Sequence, residues 1–371
     1  MSSTKAISFI TPSRRSGLRS AGSPNSRARQ LARQEFVGER VLQFFDIPGL
    51  SFHSQPEALV GGWEAETYAL EFEADPNLPA LLAGPLVLRI YGSECPTGRA
   101  RREFAVQSFV HGHGFPCARP LLLVEDEEAL GSPFMFMQRL PGDSLLHELA
   151  QHPWRLWDLP GRMADLHAQL HELPIDGFPG DTEDFLTRSL DEIRARIEAY
   201  SLEGLRAGCA WLVSNRPGAS GERRILHLDW HPLNLIYNGS GLSAIDWSLA
   251  EVGDPLMDVA TALTGILCYP MPLLPAWERP FIPIVRGVVA RRYIRRYRRL
   301  GNLDIERLMY YCAWSAMRRL AMYGRWFCLG PAGCGMKPSA IHHVDADHCA
   351  ALCSYFTRHS GVRATLDFAD S

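Results

Sequence analysis

Ile225-Leu226-His227-Leu228-Asp229-Trp230-His231-Pro232-Leu233-Asn234, with Ala244-Ile245-Asp246-Trp247 shortly after it, is the stretch on which the reading of this chain turns. Between the two blocks, the apolar runs Leu235-Ile236-Tyr237 and Leu242 to Ile245 flank the turn residues Asn238-Gly239-Ser240-Gly241, which predicts a β-hairpin. A loop, a two-stranded ribbon and a second loop return the chain to its starting point, so Asp229, Asn234 and Asp246 are expected at one site. Two carboxylates and a carboxamide are hard oxygen donors suited to Mg²⁺, which binds few protein groups together with substrate phosphates. Between Arg224 and Arg279 there is no Lys or Arg but there are six acids: Asp229, Asp246, Glu251, Asp254, Asp258 and Glu278. Carboxylates crowded in this way repel one another, which predicts a cation at the site. Loop capping is the plainer use of such residues.

Downstream and upstream the pattern divides. After Pro141-Gly142 the runs Leu145 to Leu170, Asp184 to Tyr200 and Asp304 to Tyr323 carry helical spacing of apolar residues. From Glu35 to Arg139 strands dominate: Thr67 to Glu73 alternates, Leu86 to Tyr91 is bounded by Pro85 and Gly92, and Leu121 to Val124 and Phe134 to Met137 follow. One helix is expected from Arg99 to His111, closed by Gly112 and Gly114. The expected organisation is therefore α+β: a small antiparallel-sheet lobe over residues 35–140 with one main helix, and a larger helical lobe over 141–329 that contains the hairpin. Residues 1–34, Arg/Ser-rich and without an acid, are read as a disordered tail. Residues 330–371 are read as a helical extension.

Composition closes off several function classes. At 371 residues with 46% hydrophobic and 21% charged residues, the chain has ample core for a two-lobed globular protein. A formal net charge of −3 argues against a dedicated nucleic-acid binder. No uninterrupted apolar stretch reaches about 18 residues, so no membrane-spanning helix is expected. Nine cysteines, odd in number and without paired spacing, point to a reducing, cytoplasmic interior rather than a disulfide framework. Only Lys5 and Lys337 are lysines, so a site that needs a cation will use arginine.

With these residues in view, the chain resembles a known family. His227-x-Asp229-x-x-x-x-Asn234 resembles the catalytic loop of the aminoglycoside phosphotransferase and choline kinase-like group, relatives of the protein kinases. Ile245-Asp246-Trp247 is similar to that group's metal-binding aspartate, and Ala250-Glu251-x-Gly253-Asp254-Pro255-x-x-Asp258 to its downstream stretch. Gly61 and Gly62, in Val60 to Glu64, resemble the glycine loop over the nucleotide phosphates, where backbone amides approach without side-chain obstruction. Arg89 stands where the group carries its phosphate-contacting cation, and Glu103 on the following helix is the expected partner. Leu140-Pro141-Gly142-Asp143 resembles the hinge, with adenine held by backbone groups around Gln138 to Leu140. The resemblance covers residues 55 to 325 and implies a bilobal protein-kinase-like fold. It implies transfer of the γ-phosphoryl group of ATP or GTP to a small-molecule hydroxyl, with Asp229 as base and Asn234 and Asp246 holding Mg²⁺. Two positions depart from the group: Arg89 in place of lysine, and Leu228 where glycine is frequent.

The rival reading is a catalytically impaired nucleotide-binding pseudokinase, favoured by Arg89 and opposed by the intact Asp229, Asn234 and Asp246. A protein kinase is disfavoured by the short interval between Asp246 and Asp258. The acidic run suits a cationic acceptor, although Mg²⁺ would take up part of its charge, and Trp211, Trp230, Trp247 and Trp277 serve either as a cation-accepting wall or as core. His227 is expected to brace its loop, His231 to be either functional or solvated, Asp254 to cap a helix near Leu256, and Asp258 to be structural. The arginines from Arg291 to Arg299 read as a solvated helix face. The loosely spaced Cys328, Cys334, His342, His343, Asp345, Asp347, His348, Cys349 and Cys353 read as a terminal helix with incidental histidines rather than a zinc site.

Overall fold

The computed structural model describes residues 24–366 apart from 60–64, 93–97, 127, 181–183, 220, 269–280, 302, 331–333, 335–343 and 345. Its first lobe is a five-stranded antiparallel sheet. Strands β1 (Glu57–Ala58), β2 (Ala65–Leu70), β3 (Leu86–Tyr91), β4 (Pro120–Val124) and β5 (Phe134–Gln138) lie in the order β1-β2-β3-β5-β4. The expected strand over Thr67 to Glu73 therefore starts earlier and stops at Leu70, with Phe72 continuing only as an isolated bridge to Phe52.

Helix α1 (Pro24–Phe45) begins inside the segment read as a disordered tail, and it corrects that reading from Pro24 onward. Val37 and Val41, with Leu42 and Phe45, pack on one face of the sheet against Tyr68, Leu70, Leu88, Phe134 and Phe136. Helix α2 (Arg99–Gly112) covers the opposite face, where Ala100 meets Tyr91, Met135 and Met137. The sheet thus carries a helix on each side rather than one main helix. The C-terminal half of α2 reaches further: Val106, Val110 and the following Phe115 belong to the core of the second lobe. The Phe115 ring meets Trp247 edge-on, with centroids 5.6 Å apart.

The junction between the lobes needs glycine. Gly142 has φ +105°, and a Cβ there would sit 2.1 Å from the carbonyl oxygen of Tyr237. The close approach places β6 (Asp143–Ser144) beside β8 (Leu235–Tyr237), which pairs in turn with β9 (Leu242–Ala244). This is the expected hairpin, ending one residue early and extended by a third strand. β7 (Arg224–Leu226) and β10 (Glu251–Gly253) form a second small ribbon.

The expected helix over Leu145 to Leu170 is two, α3 (Leu145–Gln151) and α4 (Leu159–His171), separated by a 3₁₀ turn at Pro153–Trp157. Pro153 cannot donate to a continuing helix, and it breaks the run there. Helices α5 (Phe185–Ala199), α6 (Glu203–Ser214), α7 (Pro255–Cys268), α8 (Ile282–Tyr297) and α9 (Ile305–Leu329) complete the lobe, and a terminal helix spans Ala346–Ser360. α9 is its axis: Trp314, Met317, Leu320 and Tyr323 are fully buried. Trp230 and Trp247 are also core, and Trp211 stacks on Tyr310, so these three form no exposed wall; Trp277 lies outside the described residues.

Candidate active site

The loop after β7 is built around one carboxylate. Asp258, in the first turn of α7 and fully buried, accepts the backbone N–H of His227 at 2.6 Å on Oδ2 and that of Leu228 at 2.7 Å on Oδ1. His167 and His171, one turn apart on α4, also meet Oδ2, at 2.9 and 3.3 Å. Their other ring nitrogens are held by the hydroxyls of Tyr293 and Tyr297 on α8, at 2.6 and 2.7 Å. Burial alone would raise Asp258. The His167 and His171 contacts more than reverse this and hold it far below the ordinary carboxylate range. Burial lowers His167 to about 4, so its imidazole is neutral. These three side chains are the metal-ligand-like cluster among the described residues. Their mutual hydrogen bonds, and the two backbone amides on Asp258, account for them as a loop anchor.

The anchor fixes an unusual backbone. Leu228 has φ +60°, in the left-handed region, and Asp246 has φ +65°. Glycine enters that region freely, whereas for other residues a sparsely populated conformation costs roughly 1–3 kcal/mol. Leu228 holds it because Asp258 grips its amide and its side chain is buried. His227 adds a second brace: Nδ1 accepts the Asp229 N–H at 3.3 Å, while Nε2 lies 3.0 Å from the Ile245 carbonyl oxygen. The first contact leaves the proton on Nε2, so the ring ties the loop to the segment carrying Asp246.

These braces bring the expected residues together. Asn234 Nδ2 donates to Asp229 Oδ2 at 2.8 Å and to the Asp229 carbonyl at 3.0 Å. Arg89 Nη2 reaches across from β3 to Asp246 Oδ1 at 3.3 Å, and its Nε lies 3.4 Å from Glu103 Oε1 on α2. Burial pushes Glu103 up to about 7 against the pull of Arg89. Asp246 is raised by burial but carried below its usual value by Arg89. Gln138 ends β5, its N–H donating to the Arg119 carbonyl at 2.8 Å, and the Arg139 N–H is taken by Pro85 at 3.0 Å. Neither bond uses the amide of Leu140, whose side chain packs on the core beside Met135 and Met137. Gly61 and Gly62 lie outside the described residues.

Two further residues stand at the site, one that the sequence left open between a functional and a solvated role and one that it missed. His231 is buried, with Nε2 3.2 Å from Asp229 Oδ2. Arg319, from the middle of α9, places Nη2 3.4 Å from Asp229 Oδ1. Burial would raise Asp229, yet His231 and Arg319 outweigh it and hold the group far below the normal carboxylate range. His231 was in view in the sequence, two residues from Asp229. Arg319 carried no signal, lying ninety residues away in an ordinary helical repeat.

The expectation of uncompensated carboxylates is corrected by the same geometry. Arg102 and Arg188 clamp Glu251 at 2.8 and 2.9 Å, and Arg307 meets Asp254 at 3.1 Å. Asp254 Oδ1 accepts the Leu256 N–H at 2.9 Å and so caps α7 as expected. Of the terminal Cys/His residues, His342, His343 and Asp345 lie outside the described residues, Cys349 is buried, and His348 contacts the Tyr323 hydroxyl at 3.3 Å.

The two-lobed α+β architecture, whose lobes meet across Arg89 and Asp246, is the protein-kinase-like fold. The model of the phosphotransferase enzyme family matches residues 56–301, and the chain belongs to that family. Among curated relatives it is 28% identical to acyl-CoA dehydrogenase family member 11 of Gallus gallus, over 43% of this chain and 22% of the relative. It is 26% identical to acyl-CoA dehydrogenase family member 10 of Mus musculus, over 62% of this chain and 23% of the relative. The chain thus spans about a fifth of the length of the curated relatives it matches. Among solved structures, a putative aminoglycoside phosphotransferase from Ralstonia eutropha aligns over 88% of this chain and 98% of its own, with TM-score 0.59 and 17% identity. Amicoumacin kinase hAmiN, in complex with AMP-PNP, Ca²⁺ and Ami, aligns over 94% and 99%, with TM-score 0.57 and 15% identity. No helix of the described residues is long and apolar enough to cross a membrane.

Proposed function

We propose that this chain is a small-molecule kinase that transfers the γ-phosphoryl group of a nucleoside triphosphate, ATP or GTP, to a hydroxyl. The observation that carries the reading is the convergence of Asp229, Asn234 and Asp246 opposite Arg89. The neighbour bound to AMP-PNP supports a nucleotide donor. In this reading Asp229 accepts the hydroxyl's proton and aims its oxygen for in-line attack. Its depressed pKa makes it a weak base, which suits a loose transition state in which orientation matters more than early proton removal.

Asn234 and Asp246 would hold Mg²⁺, which when bound offsets charge on the phosphate oxygens. Their chemistry fits the ion, because Asn234 commits its Nδ2 to Asp229, so its remaining donor is an oxygen, and Asp246 is held ionised. Arg89 contacts the phosphates and Glu103 positions it; adenine is read by backbone near Gln138 and Leu140, under the loop of Gly61 and Gly62. Arginine preserves a permanent charge where lysine is commoner, hydrogen-bonds Asp246 and stands within ion-pair distance of Glu103, which weighs against an impaired pseudokinase. We place the activity in the cytoplasm on cysteine usage.

The test is Mg-ATP or Mg-GTP with a panel of metabolite hydroxyl compounds, read by mass spectrometry for addition of one phosphoryl group. Transfer that falls at least about a hundredfold in Asp229→Asn supports the reading. Nucleotide binding with no transfer and no Asp229-dependent hydrolysis would mean a binding module instead.

A further inference from the structure

In sequence the arginines of α8 form an ordinary solvated face; in the fold they share it with apolar side chains that such a face does not need. The inner side of the helix buries Val289, Ala290, Tyr293 and Tyr297, the two tyrosines holding His167 and His171. The opposite stripe begins at the N-cap Phe281 and continues, in alternating steps of three and four, through Ile284, Val288, Arg291, Arg295 and Arg298. Its first part is apolar, with Phe281 57% and Ile284 65% exposed, and its second part is basic. Trp154 and Trp157, on the 3₁₀ turn beside it, are 65% and 68% exposed. Arg292 ties that turn to α8: its guanidinium carbon lies 4.1 Å from the Trp157 ring centroid, and Nη1 donates to the Trp157 carbonyl at 2.8 Å.

The charge on this face is one-sided. No acid occurs between Glu278 and Asp304, and six arginines lie from Arg291 to Arg299. Arg296 is neutralised by Asp165 at 2.6 Å. Arg291, Arg295, Arg298 and Arg299 are exposed and meet no acid among the described residues. Between α4 and α8 a groove of about 300 Å³ is lined by Trp157, Arg162, Arg292, Arg295, Arg296 and Arg299.

Three kinds of partner could meet such a face, and its chemistry separates them. A second copy of the chain would set four unpaired arginines against the same four, which like-charge repulsion opposes. A nucleic acid would satisfy the arginines and stack the tryptophans, but would leave the aliphatic Ile284 and Val285 in water. An anionic bilayer serves all of them: guanidinium groups meet lipid phosphates, tryptophans sit at the headgroup level, and the aliphatic side chains reach the acyl boundary.

We propose that the outward face of α8, together with Trp154 and Trp157, docks this protein on the surface of an anionic membrane, without spanning it. The proposal goes beyond the phosphotransferase reading and does not depend on it.

The test mixes the full chain with vesicles of phosphatidylcholine alone, or with about one third phosphatidylserine, and reads binding by cosedimentation. The wild type should bind the anionic vesicles at least about tenfold more tightly, with an advantage that shrinks as salt is added. Each arginine held at such a surface adds about fivefold, so the double variant Arg295→Gln, Arg299→Gln should bind about thirtyfold more weakly. Brominated acyl chains should quench the tryptophan fluorescence of the wild type, and the double variant Trp154→Ser, Trp157→Ser should lose that quenching. All four side chains lie outside the proposed site, so circular dichroism and Mg-ATP binding of both variants should match the wild type and show that they are folded. No binding to vesicles, equal binding to both kinds, or quenching that survives loss of the two tryptophans overturns the inference. Tighter binding to single-stranded DNA of about thirty nucleotides than to the anionic vesicles overturns it in favour of a nucleic acid. A dimer in light scattering that the tryptophan variant converts to monomer overturns it in favour of a second copy.

Discussion

Asp258→Asn tests whether the active-site loop is held by a single buried carboxylate. The native group receives four donors: one backbone amide on Oδ1, and one amide and two imidazoles on Oδ2. An asparagine supplies one acceptor oxygen and one donor in the same space. Whichever way the amide turns, a backbone N–H of His227 or Leu228 then faces an NH₂ group in a site with no access to water. An unsatisfied buried donor costs about 1–3 kcal/mol, and each charge-assisted bond lost about 1.5–3 kcal/mol. His167 recovers part of this by switching tautomer, and release of Leu228 from its left-handed conformation returns roughly 1–3 kcal/mol if the loop relaxes. The net expectation is a loss of about 3 kcal/mol, within the range for breaking one side of a buried charged network. Relaxation also displaces Asp229, so transfer should fall by at least about a hundredfold even where the variant is folded. Urea unfolding followed by circular dichroism and tryptophan fluorescence reads the first quantity, and single-turnover transfer the second. A variant within about 1 kcal/mol of wild type and with unchanged turnover would refute the anchoring argument.

Two further outcomes follow from the same contacts. His167 is lowered by burial to about 4 from an ordinary 6.5. The unfolded chain therefore takes up a proton in that window that the native state refuses. Its contribution is complete above pH 6.5 and is lost as pH falls toward 4, about 3 kcal/mol in all; urea midpoints across the window should show the slope, and His167→Gln should flatten it. Arg89→Lys replaces a fork that meets Asp246 and Glu103 by one nitrogen that serves one of them at a time. The nucleotide KM should rise by about tenfold with a smaller change in kcat, and steady-state kinetics showing no change in KM would remove Arg89 from the phosphate site.

How much of this was legible in the sequence follows from the distance over which each feature is written. The trio Asp229, Asn234 and Asp246 is encoded within one loop and one hairpin, whose turn residues and apolar runs are local. Helix ends set by Asp184, Asp254 and Asp304 were readable for the same reason, because a cap is a contact between near neighbours. The partners of the site are tertiary. Arg319 reaches Asp229, and Arg307 reaches Asp254, from a helix whose apolar periodicity specifies burial but not which arginine turns inward. The run of acids looked uncompensated because its cations come from β3, α2, α5 and α9. Helix α1 was hidden differently: its apolar seam of Val37, Val41 and Phe45 is sparse and adjoins an Arg/Ser-rich stretch, and it becomes stable only against the sheet.

Leu228 shows why a departure from a family pattern has to be weighed by its backbone and not by its side chain alone. The position lies between His227 and the proposed base Asp229 and touches no expected ligand, so in sequence it counts for little. In the fold it sits at φ +60°, where glycine would be free of strain, and it holds a conformation that must be over-determined to persist. The chain supplies that determination twice, through the Asp258 carboxylate on the Leu228 amide and through a leucine side chain buried in the large-lobe core. A glycine would leave the loop free to sample other conformations and would leave Asp258 to hold it alone. The leucine converts apolar burial into rigidity at the residue just before Asp229. The strain and the anchor are therefore two halves of one device, which fixes the direction of the Asp229 carboxylate, the group we propose orients the acceptor hydroxyl.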